Sequence, residues 1–158
     1  MKILVTGASG YIGRALISEL HEEGLNAIGT TRETLNLIDV GDMKRFGDLD
    51  IVYLCAYKSR FIECEDDPTA YRINVDAQIE IARQLPKSKI IFLSSEAVER
   101  ALHTNYGMHK ALVETALLTK EAVIARICGK VTDSRLKSLA IWLRCLIAMD
   151  SGVYRWTT

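Results

Sequence analysis

The sequence has few of the residues that mark the specialised classes of small protein. Its 158 residues include only two prolines, three histidines and four cysteines, and aromatic residues make up 7%. The cysteines stand at positions 55, 64, 128 and 145, without a CxxC pair and without a histidine at ligand spacing. This pattern speaks against a disulfide scaffold, predicts no metal site, and fits reduced thiols in a cytoplasmic protein.

Excess charge and long apolar runs are also missing. Basic and acidic residues number 20 each, so the net charge gives no support for binding to nucleic acid or to an acidic membrane. The apolar start is too short for a signal peptide, and the apolar stretch at residues 139–149 is too short to span a bilayer and contains Arg144. We therefore expect a soluble cytoplasmic protein with neither a nucleic-acid nor a membrane partner.

What the sequence does contain is a regular alternation of strand-like and helix-like segments. The length and the ordinary globular composition predict a single domain over residues 1–158. Alternating elements predict an α/β protein, a doubly wound parallel sheet of the Rossmann type covered by helices on both faces. Strands are predicted at residues 3–5, 25–30, 50–56, 89–94, 122–127 and 152–156; helices are predicted from about residue 12, and at 68–85, 105–118 and 134–149.

The predicted helix at residues 68–85 has apolar residues on two sides. Tyr71, Val75, Ile79 and Ala82 form one stripe, and a second stripe consists of Ile73, Ala77, Ile81 and Leu85. A helix on a sheet needs only one such stripe. The second is explained either by ordinary burial or by a partner subunit, and with the predicted helix at 105–118 it leads us to expect a homodimer.

Three glycines, Gly7, Gly10 and Gly13, stand between the first predicted strand and the first predicted helix. In this stretch, TGASGYIG, the missing side chains let backbone N–H groups approach an anion, and the helix N-terminus adds favourable partial charge. Taken alone, the glycines fit a tight loop without a ligand equally well. At the start of an alternating chain they predict a dinucleotide site.

Five motifs occur in order, each on the expected element: TGASGYIG, DIVYLCA, DPTAYRINV, IIFLSS, and YGMHK followed by Glu114. Together they resemble the short-chain dehydrogenase/reductase superfamily, and more narrowly its extended branch of NAD(P)-dependent sugar-nucleotide epimerases, dehydratases and reductases. The resemblance implies a nicotinamide dinucleotide cofactor and a hydride transfer with a carbonyl or hydroxyl group of a small-molecule substrate.

The stretch IGTTRE, at the end of the second predicted strand, bears on the choice of cofactor. An acid here accepts a hydrogen bond from the ribose of NAD, whereas a 2′-phosphate requires a cation. Thr31 stands where the acid is expected and Arg32 follows, so NADP is favoured over NAD, with a solvated arginine as the alternative. The cofactor contacts that the resemblance implies are Thr6, Gly7, Ser9, Gly10, Tyr11, Ile12, Gly13, Thr31, Arg32, Asn36, Leu37, Cys55, Ala56, Asn74, Ser94 and Lys110.

Ser95, Tyr106 and Lys110 are the candidate catalytic residues. Tyr106 and Lys110 are four residues apart on a predicted helix and so share a face, and a nearby ammonium is expected to lower the pKa of Tyr106 from about 10. Such a tyrosine can protonate a carbonyl oxygen that Ser95 holds by a hydrogen bond. The resemblance adds that Lys110 binds the nicotinamide ribose and that Asn74 supports Lys110.

The chain departs from the extended branch at two places. The segment between Ser95 and Tyr106 is short, where relatives carry a substrate-contacting loop, and residues 130–133 lead almost at once into the last predicted helix, where relatives bind a nucleotide diphosphate. The resemblance therefore implies a shortened form that lacks most of the substrate-binding region. Two functions remain open: an NADP-dependent oxidoreductase or epimerase-like enzyme, and a non-catalytic nucleotide-binding module, a sensor or subunit with a residual triad.

Overall fold

Six parallel strands form one sheet in the order β2-β1-β3-β4-β5-β6, with helices on both faces. The computed structural model describes residues 1–157. The predicted doubly wound α/β fold is confirmed. The strands are β1 (Lys2–Val5), β2 (Asn26–Gly29), β3 (Ile51–Leu54), β4 (Lys89–Ser95), β5 (Ala122–Cys128) and β6 (Gly152–Thr157); the helices are α1 (Tyr11–Glu22), α2 (Phe61–Asp66), α3 (Ala77–Gln84), α4 (Ala97–Arg100), α5 (Asn105–Leu117) and α6 (Asp133–Cys145).

Neighbouring residues of the central strands point to opposite faces of the sheet and so build two separate cores. Leu4 of β1 and Val52 of β3 belong to the core under α3 and α5. Ile3 and Ile51, each one residue earlier, belong to the core under α1 and α6. Because both faces are buried, the strands are nearly continuous apolar runs, which is the pattern that revealed them in the sequence.

The helix predicted at residues 68–85 is helical over 70–84, and it contains a π-helical turn at Arg72–Asp76 that the sequence did not predict. The N–H of Ala77 bonds back to the carbonyl of Arg72, and the Gln78 side-chain amide donates to the carbonyl of Ile73 at 2.9 Å. A π turn inserts one extra residue into the helix and is frequent at functional sites. Here it is the segment that carries Ile73 and Asn74 towards the carboxyl edge of the sheet.

Both apolar stripes of this helix are largely buried within the chain itself. Val75 and Ala82 of one stripe and Ala77 and Ile81 of the other are at most 2% exposed, whereas Tyr71 is 47% exposed. Ordinary burial between the sheet and α5 therefore accounts for most of the second stripe. Among residues 1–157, no helix is long and apolar enough to cross a bilayer.

The turn from β1 into α1 depends on two close backbone approaches. Gly7 has a φ of +66°, and a Cβ on it would lie 2.7 Å from Cα of Ala56. A Cβ on Gly13 would lie 2.3 Å from the carbonyl oxygen of Gly7, whereas one on Gly10 would meet only that oxygen, at 3.1 Å. Gly7 and Gly13 are thus required by the fold, and Gly10 is under much less steric pressure.

We therefore expect Gly13→Ala to lower the free energy of unfolding by about 1–3 kcal/mol, the usual cost of forcing extra volume into a packed site. Gly10→Ala is the matched control, and we expect it to cost clearly less. Urea unfolding followed by circular dichroism measures both variants. Equal losses would contradict the assignment of Gly13 to helix–strand packing.

Candidate functional site

A cleft of about 430 Å³ opens at the carboxyl edge of the sheet, between β1 and β3. Here the chain leaves β1 for a helix on one face and leaves β3 for a helix on the other, and ligands of α/β proteins bind at such a point. Ten of the residues predicted to contact a cofactor line this cleft: Thr6, Gly7, Ser9, Gly10, Thr31, Arg32, Asn36, Leu37, Cys55 and Ala56. The other predicted residues, Tyr11, Ile12, Gly13, Asn74, Ser94 and Lys110, lie outside its lining.

The floor of the cleft is the glycine turn. Gly10 is the N-cap of α1, and no side chain caps this helix end. The N–H groups of the first helical turn therefore have no side-chain acceptor, which leaves them suited to an anion. Such a floor fits the pyrophosphate of a dinucleotide.

Thr6 fixes the two strand ends that flank this floor. It is fully buried, and its hydroxyl accepts hydrogen bonds from the N–H groups of Cys55 at 3.0 Å and Ala56 at 3.1 Å. The same hydroxyl donates to the carbonyl of Tyr53 at 3.3 Å. Thr6 thus joins the ends of β1 and β3 and holds the walls of the cleft at a fixed separation.

One end of the cleft carries the residues after β2. Arg32 lines it and is exposed. The neighbouring acid, Glu33, accepts a hydrogen bond from the Thr31 hydroxyl at 2.5 Å and is not part of the lining. Arg32 therefore contributes the charge at this end of the cleft, and that charge is positive.

The opposite wall is built by the loop after β3, which Asn74 holds. The buried amide of Asn74 accepts from the backbone N–H of Lys58 at 2.8 Å and donates to the carbonyl of Lys58 at 3.1 Å. The ammonium of Lys58 pairs with Asp67 at 2.5 Å, and this lowers the pKa of Asp67. Asn74 thus holds this loop, and its amide nitrogen also lies within hydrogen-bond distance of Cys64 and His109. Its support of Lys110 stays a prediction.

Tyr106 lies on the first turn of α5 beside Ser95, the last residue of β4. Burial raises the pKa of Tyr106, and the nearby Ser95 hydroxyl acts in the opposite direction. The expected lowering by Lys110 is therefore wrong for this structure. A raised pKa keeps the phenol protonated at neutral pH, in the form that can donate a proton.

Lys110 lies one helical turn further on and is 4% exposed. Its Nζ donates to the carbonyl of Leu93 at 2.6 Å, and it lies 3.4 Å from the ring centroid of Tyr57 and 4.8 Å from that of Phe92. Burial lowers the pKa of this ammonium to about 7. The Lys110 ammonium therefore interacts with the Tyr57 and Phe92 rings, whereas the helical spacing predicted an interaction with Tyr106.

A buried ion pair ties α5 to the sheet. The guanidinium of Arg126 on β5 donates to both carboxylate oxygens of Glu114, at 3.0 Å and 2.6 Å, and Ser94 donates to the same carboxylate at 2.5 Å. A bidentate arginine–carboxylate pair fixes orientation as well as distance. It sets the position of α5, and with it those of Tyr106 and Lys110, relative to the ends of β4 and β5.

Comparison with known proteins identifies the family. The profile of the RmlD substrate binding domain matches residues 1–135. The chain belongs to the RmlD substrate binding domain family. The inferred membership of the extended short-chain dehydrogenase/reductase superfamily is thereby confirmed. A comparison with curated protein sequences gives no significant match.

Solved structures of similar fold come from several organisms. A hypothetical dTDP-4-dehydrorhamnose reductase from Sulfolobus tokodaii has a TM-score of 0.84 and 23% identity over 98% of this chain and 76% of its own. The dTDP-4-dehydrorhamnose reductase of Bacillus anthracis, solved in complex with NADP, has a TM-score of 0.83 and 18% identity over 99% and 75%. An oxidoreductase (short chain dehydrogenase/reductase) from Brucella ovis has a TM-score of 0.74 and 17% identity, and the match covers 100% of this chain and 100% of its own. At these identities the structures establish the shared fold.

Several residues of the cleft were missed in this RmlD-family sequence. They are Thr30, Leu35, Ile38, Tyr57, Lys58, Thr69 and Ile73. Thr30, Tyr57 and Lys58 directly follow or adjoin residues that were predicted, so extending each strand-end motif by one or two positions would have found them. Ile73 belongs to the π turn, for which the sequence carries no comparable signal, and Thr69 lies in the turn before this helix.

The buried ammonium of Lys110 predicts a specific pH dependence of stability. Its pKa of about 7 in the folded protein lies below the value of about 10.4 for an unfolded lysine. Between these values the unfolded chain binds more protons, so the free energy of unfolding rises with pH. We expect Lys110→Met to be stabilising at pH 7 and below, with an advantage that shrinks by up to about 1.4 kcal/mol per pH unit towards about pH 10.

Urea unfolding of parent and variant across this pH range measures the difference. Lys137→Met is the matched control, because that side chain is 76% exposed and its replacement should give a difference that is independent of pH. A pH-independent difference for Lys110→Met as well would contradict the lowered pKa.

Proposed function

We propose that the protein is an oxidoreductase that uses NADP(H) to reduce a carbonyl group of a small molecule. The observation that carries this proposal is the cleft itself: a glycine turn at an uncapped helix end, with Arg32 at one end of the cleft and Tyr57, which contacts the Tyr106 ring, in its lining. The substrate class we favour is related to sugar nucleotides, because two of the similar structures are described as dTDP-4-dehydrorhamnose reductases.

The residues that line the cleft offer contacts for the adenosine and pyrophosphate parts of a nicotinamide dinucleotide. The first-turn N–H groups of α1 would hold the pyrophosphate, Arg32 would pair with a 2′-phosphate, and Asn36 and Leu37 would lie against the adenine. When bound, this cofactor supplies or accepts the hydride. NADP is therefore the cofactor we propose, with NAD as the alternative.

Tyr106 and Ser95 supply the remaining chemistry. In the reducing direction the carbonyl carbon of the substrate gains a hydride and its oxygen gains a proton, and the Tyr106 phenol is the donor of that proton. The phenol is protonated at neutral pH, which is the form that can donate a proton, and its raised pKa makes it a weaker acid than an exposed tyrosine. Ser95, next to Tyr106, is suited to hold the same oxygen by a hydrogen bond.

A second candidate function, nucleotide binding without turnover, is favoured by the surroundings of Lys110. Its ammonium lies under the Tyr57 ring, and the pKa of Tyr106 is raised and not lowered. In this alternative the protein is a sensor or subunit, and Ser95, Tyr106 and Lys110 are residual.

A homodimer is also part of the proposal. The support is a set of exposed apolar side chains: Tyr71 precedes the π turn, and Met108, Leu112 and Leu118 lie on or just after α5, exposed between 39% and 74%. Clusters of such residues mark association surfaces. The two-stripe pattern, which first suggested a dimer, is largely used inside the chain.

The choice of cofactor is tested at Arg32. We expect Arg32→Ala to weaken NADPH binding by about 10- to 100-fold, the range for one lost charge-assisted contact, and to change NADH binding little. Arg32→Lys keeps the charge without the two-pronged geometry and should give an intermediate loss. Isothermal calorimetry with both nucleotides measures this. Equal losses for NADPH and NADH would refute the pairing of Arg32 with a 2′-phosphate.

Catalysis is tested at Tyr106. We expect Tyr106→Phe to lower kcat by about 10²- to 10⁴-fold while NADPH binding stays nearly unchanged, because only the proton-donating oxygen is removed. The assay follows NADPH absorbance with a panel of ketones, aldehydes and keto-sugar nucleotides. Tyr154→Phe makes the same chemical change on β6, where the hydroxyl bonds to the carbonyl of Asp150, and should leave kcat unaltered.

The outcomes separate the two candidate functions. A parent protein that binds NADPH but oxidises it with no member of the panel supports the binding module. Turnover that survives Tyr106→Phe at the parental rate supports an enzyme and rejects Tyr106 as its proton donor.

A further inference from the structure

The ring of Tyr57 lies between the cleft and Lys110. Tyr57 lines the cleft, Lys110 does not, and the Lys110 Nζ lies 3.4 Å from the Tyr57 ring centroid. On its other sides the ammonium meets the Phe92 ring and the carbonyl of Leu93. Tyr57 is therefore a residue of the cleft lining whose ring covers the Lys110 ammonium.

The Tyr57 ring is held by contacts that are individually weak. Its face carries the ammonium of Lys110, and the Tyr106 ring packs against it edge-on, with centroids 5.7 Å apart and planes 85° apart. No directional bond anchors its tip, because the Tyr57 hydroxyl is one of two buried side-chain polar atoms within residues 1–157 that lack a hydrogen-bond partner, the other being Oε1 of Gln78. Leaving a buried hydroxyl unpaired favours any rotation that gives it a partner.

The ring also borders the open space of the cleft. Tyr57 stands on the loop between β3 and α2, next to the open cleft. The ring of Phe61, which packs against Tyr106 with centroids 5.0 Å apart, belongs to a residue that is 51% exposed. The aromatic cluster of Tyr57, Phe61 and Tyr106 is thus bordered by the cleft on one side and by solvent on the other.

We propose that Tyr57 is a gate for Lys110: its ring shields the ammonium from the cleft, and it turns aside before Lys110 contacts a ligand there. Tyr57 is then a positioning residue that acts through Lys110. That the ligand is a nicotinamide nucleotide rests on the proposed function, whereas the shielding itself does not.

Shielding is measured without any nucleotide, by reductive methylation of lysines with formaldehyde and a borane reductant followed by peptide mass spectrometry. A minor conformer populated at 0.1–10% is typical of such an equilibrium, so removing the ring with Tyr57→Ala should speed labelling of Lys110 by about tenfold or more. Tyr57→Phe is the matched control, because it keeps the ring and should keep Lys110 slow. Lys137, which is 76% exposed, serves as the internal reference for labelling rate.

A second lysine, Lys89, is the control for general loosening of the fold. Lys89, at the opposite end of β4, is bonded to the carbonyls of Ile147 and Met149, so faster labelling of Lys89 would reveal general loosening of the fold. In that case the labelling rate of Lys110 is measured in Tyr57→Leu instead, because leucine retains most of the side-chain volume but lacks the flat ring. Selective acceleration at Lys110 in either variant supports the gate, and an unchanged rate at Lys110 in a folded variant, or equal acceleration in Tyr57→Phe, overturns it.

Binding of NADPH to the same proteins separates this proposal from the proposed function. If Lys110 is unmasked by Tyr57→Ala but NADPH binds to neither parent nor variant, the nucleotide site is rejected and the gate stands. If NADPH binds but labelling of Lys110 is the same with and without the ring, the gate is rejected and the nucleotide site stands. With both correct, Tyr57→Ala should bind NADPH more tightly by about the factor by which labelling rises, since the closed fraction no longer reduces the apparent affinity.

Discussion

The close approach of the β1 and β3 ends is the constraint on which the rest of the site depends. Gly7 can lie against Ala56 only because it has no Cβ and adopts a positive φ, and Thr6 then bonds to both N–H groups at the end of β3. The close approach fixes the width of the cleft, turns the chain into α1, and directs the uncapped end of that helix towards the opening. A side chain at Gly7 would disturb all three features at once.

The site also requires that α5 is held in place against the sheet. This helix carries two buried charged residues, and their surroundings differ. Glu114 is fully compensated, with a bidentate partner in Arg126 and a third bond from Ser94. Lys110 donates one hydrogen bond, to the carbonyl of Leu93, and its other neighbours include two aromatic rings. Burial lowers the pKa of its ammonium. Burial of a charge is tolerated where its bonds are satisfied and costly where they are not. This cost at Lys110 agrees with the ligand contact that we propose for it, since functional sites commonly trade stability for activity.

Much of the architecture and part of the site could be predicted from the sequence, because their causes are local. Continuous apolar runs identify buried parallel strands, and the glycines of TGASGYIG mark a strand–helix turn whose geometry excludes side chains. The π turn at Arg72–Asp76, the short helix Phe61–Asp66 and the inclusion of Ile73 in the cleft were not predicted. They depend on contacts between distant segments, such as the bonds of Asn74 to Lys58, which no local pattern encodes. The pKa of Tyr106 was predicted wrongly for the same reason: burial raises it, and Lys110 is not among the groups that shift it.

The aromatic cluster also connects the two candidate functions. Turning the Tyr57 ring away would lose a cation–π contact worth up to about 2 kcal/mol in a desolvated setting. It would at the same time offer a partner to a hydroxyl whose unpaired burial costs about 1–3 kcal/mol. Because these two quantities partly offset each other, the open form lies within a few kcal/mol of the closed form, and a ligand that prefers the open form can shift the equilibrium. The covered Lys110 therefore does not by itself mark a residual site, because Lys110 can contact a nucleotide once the ring has turned.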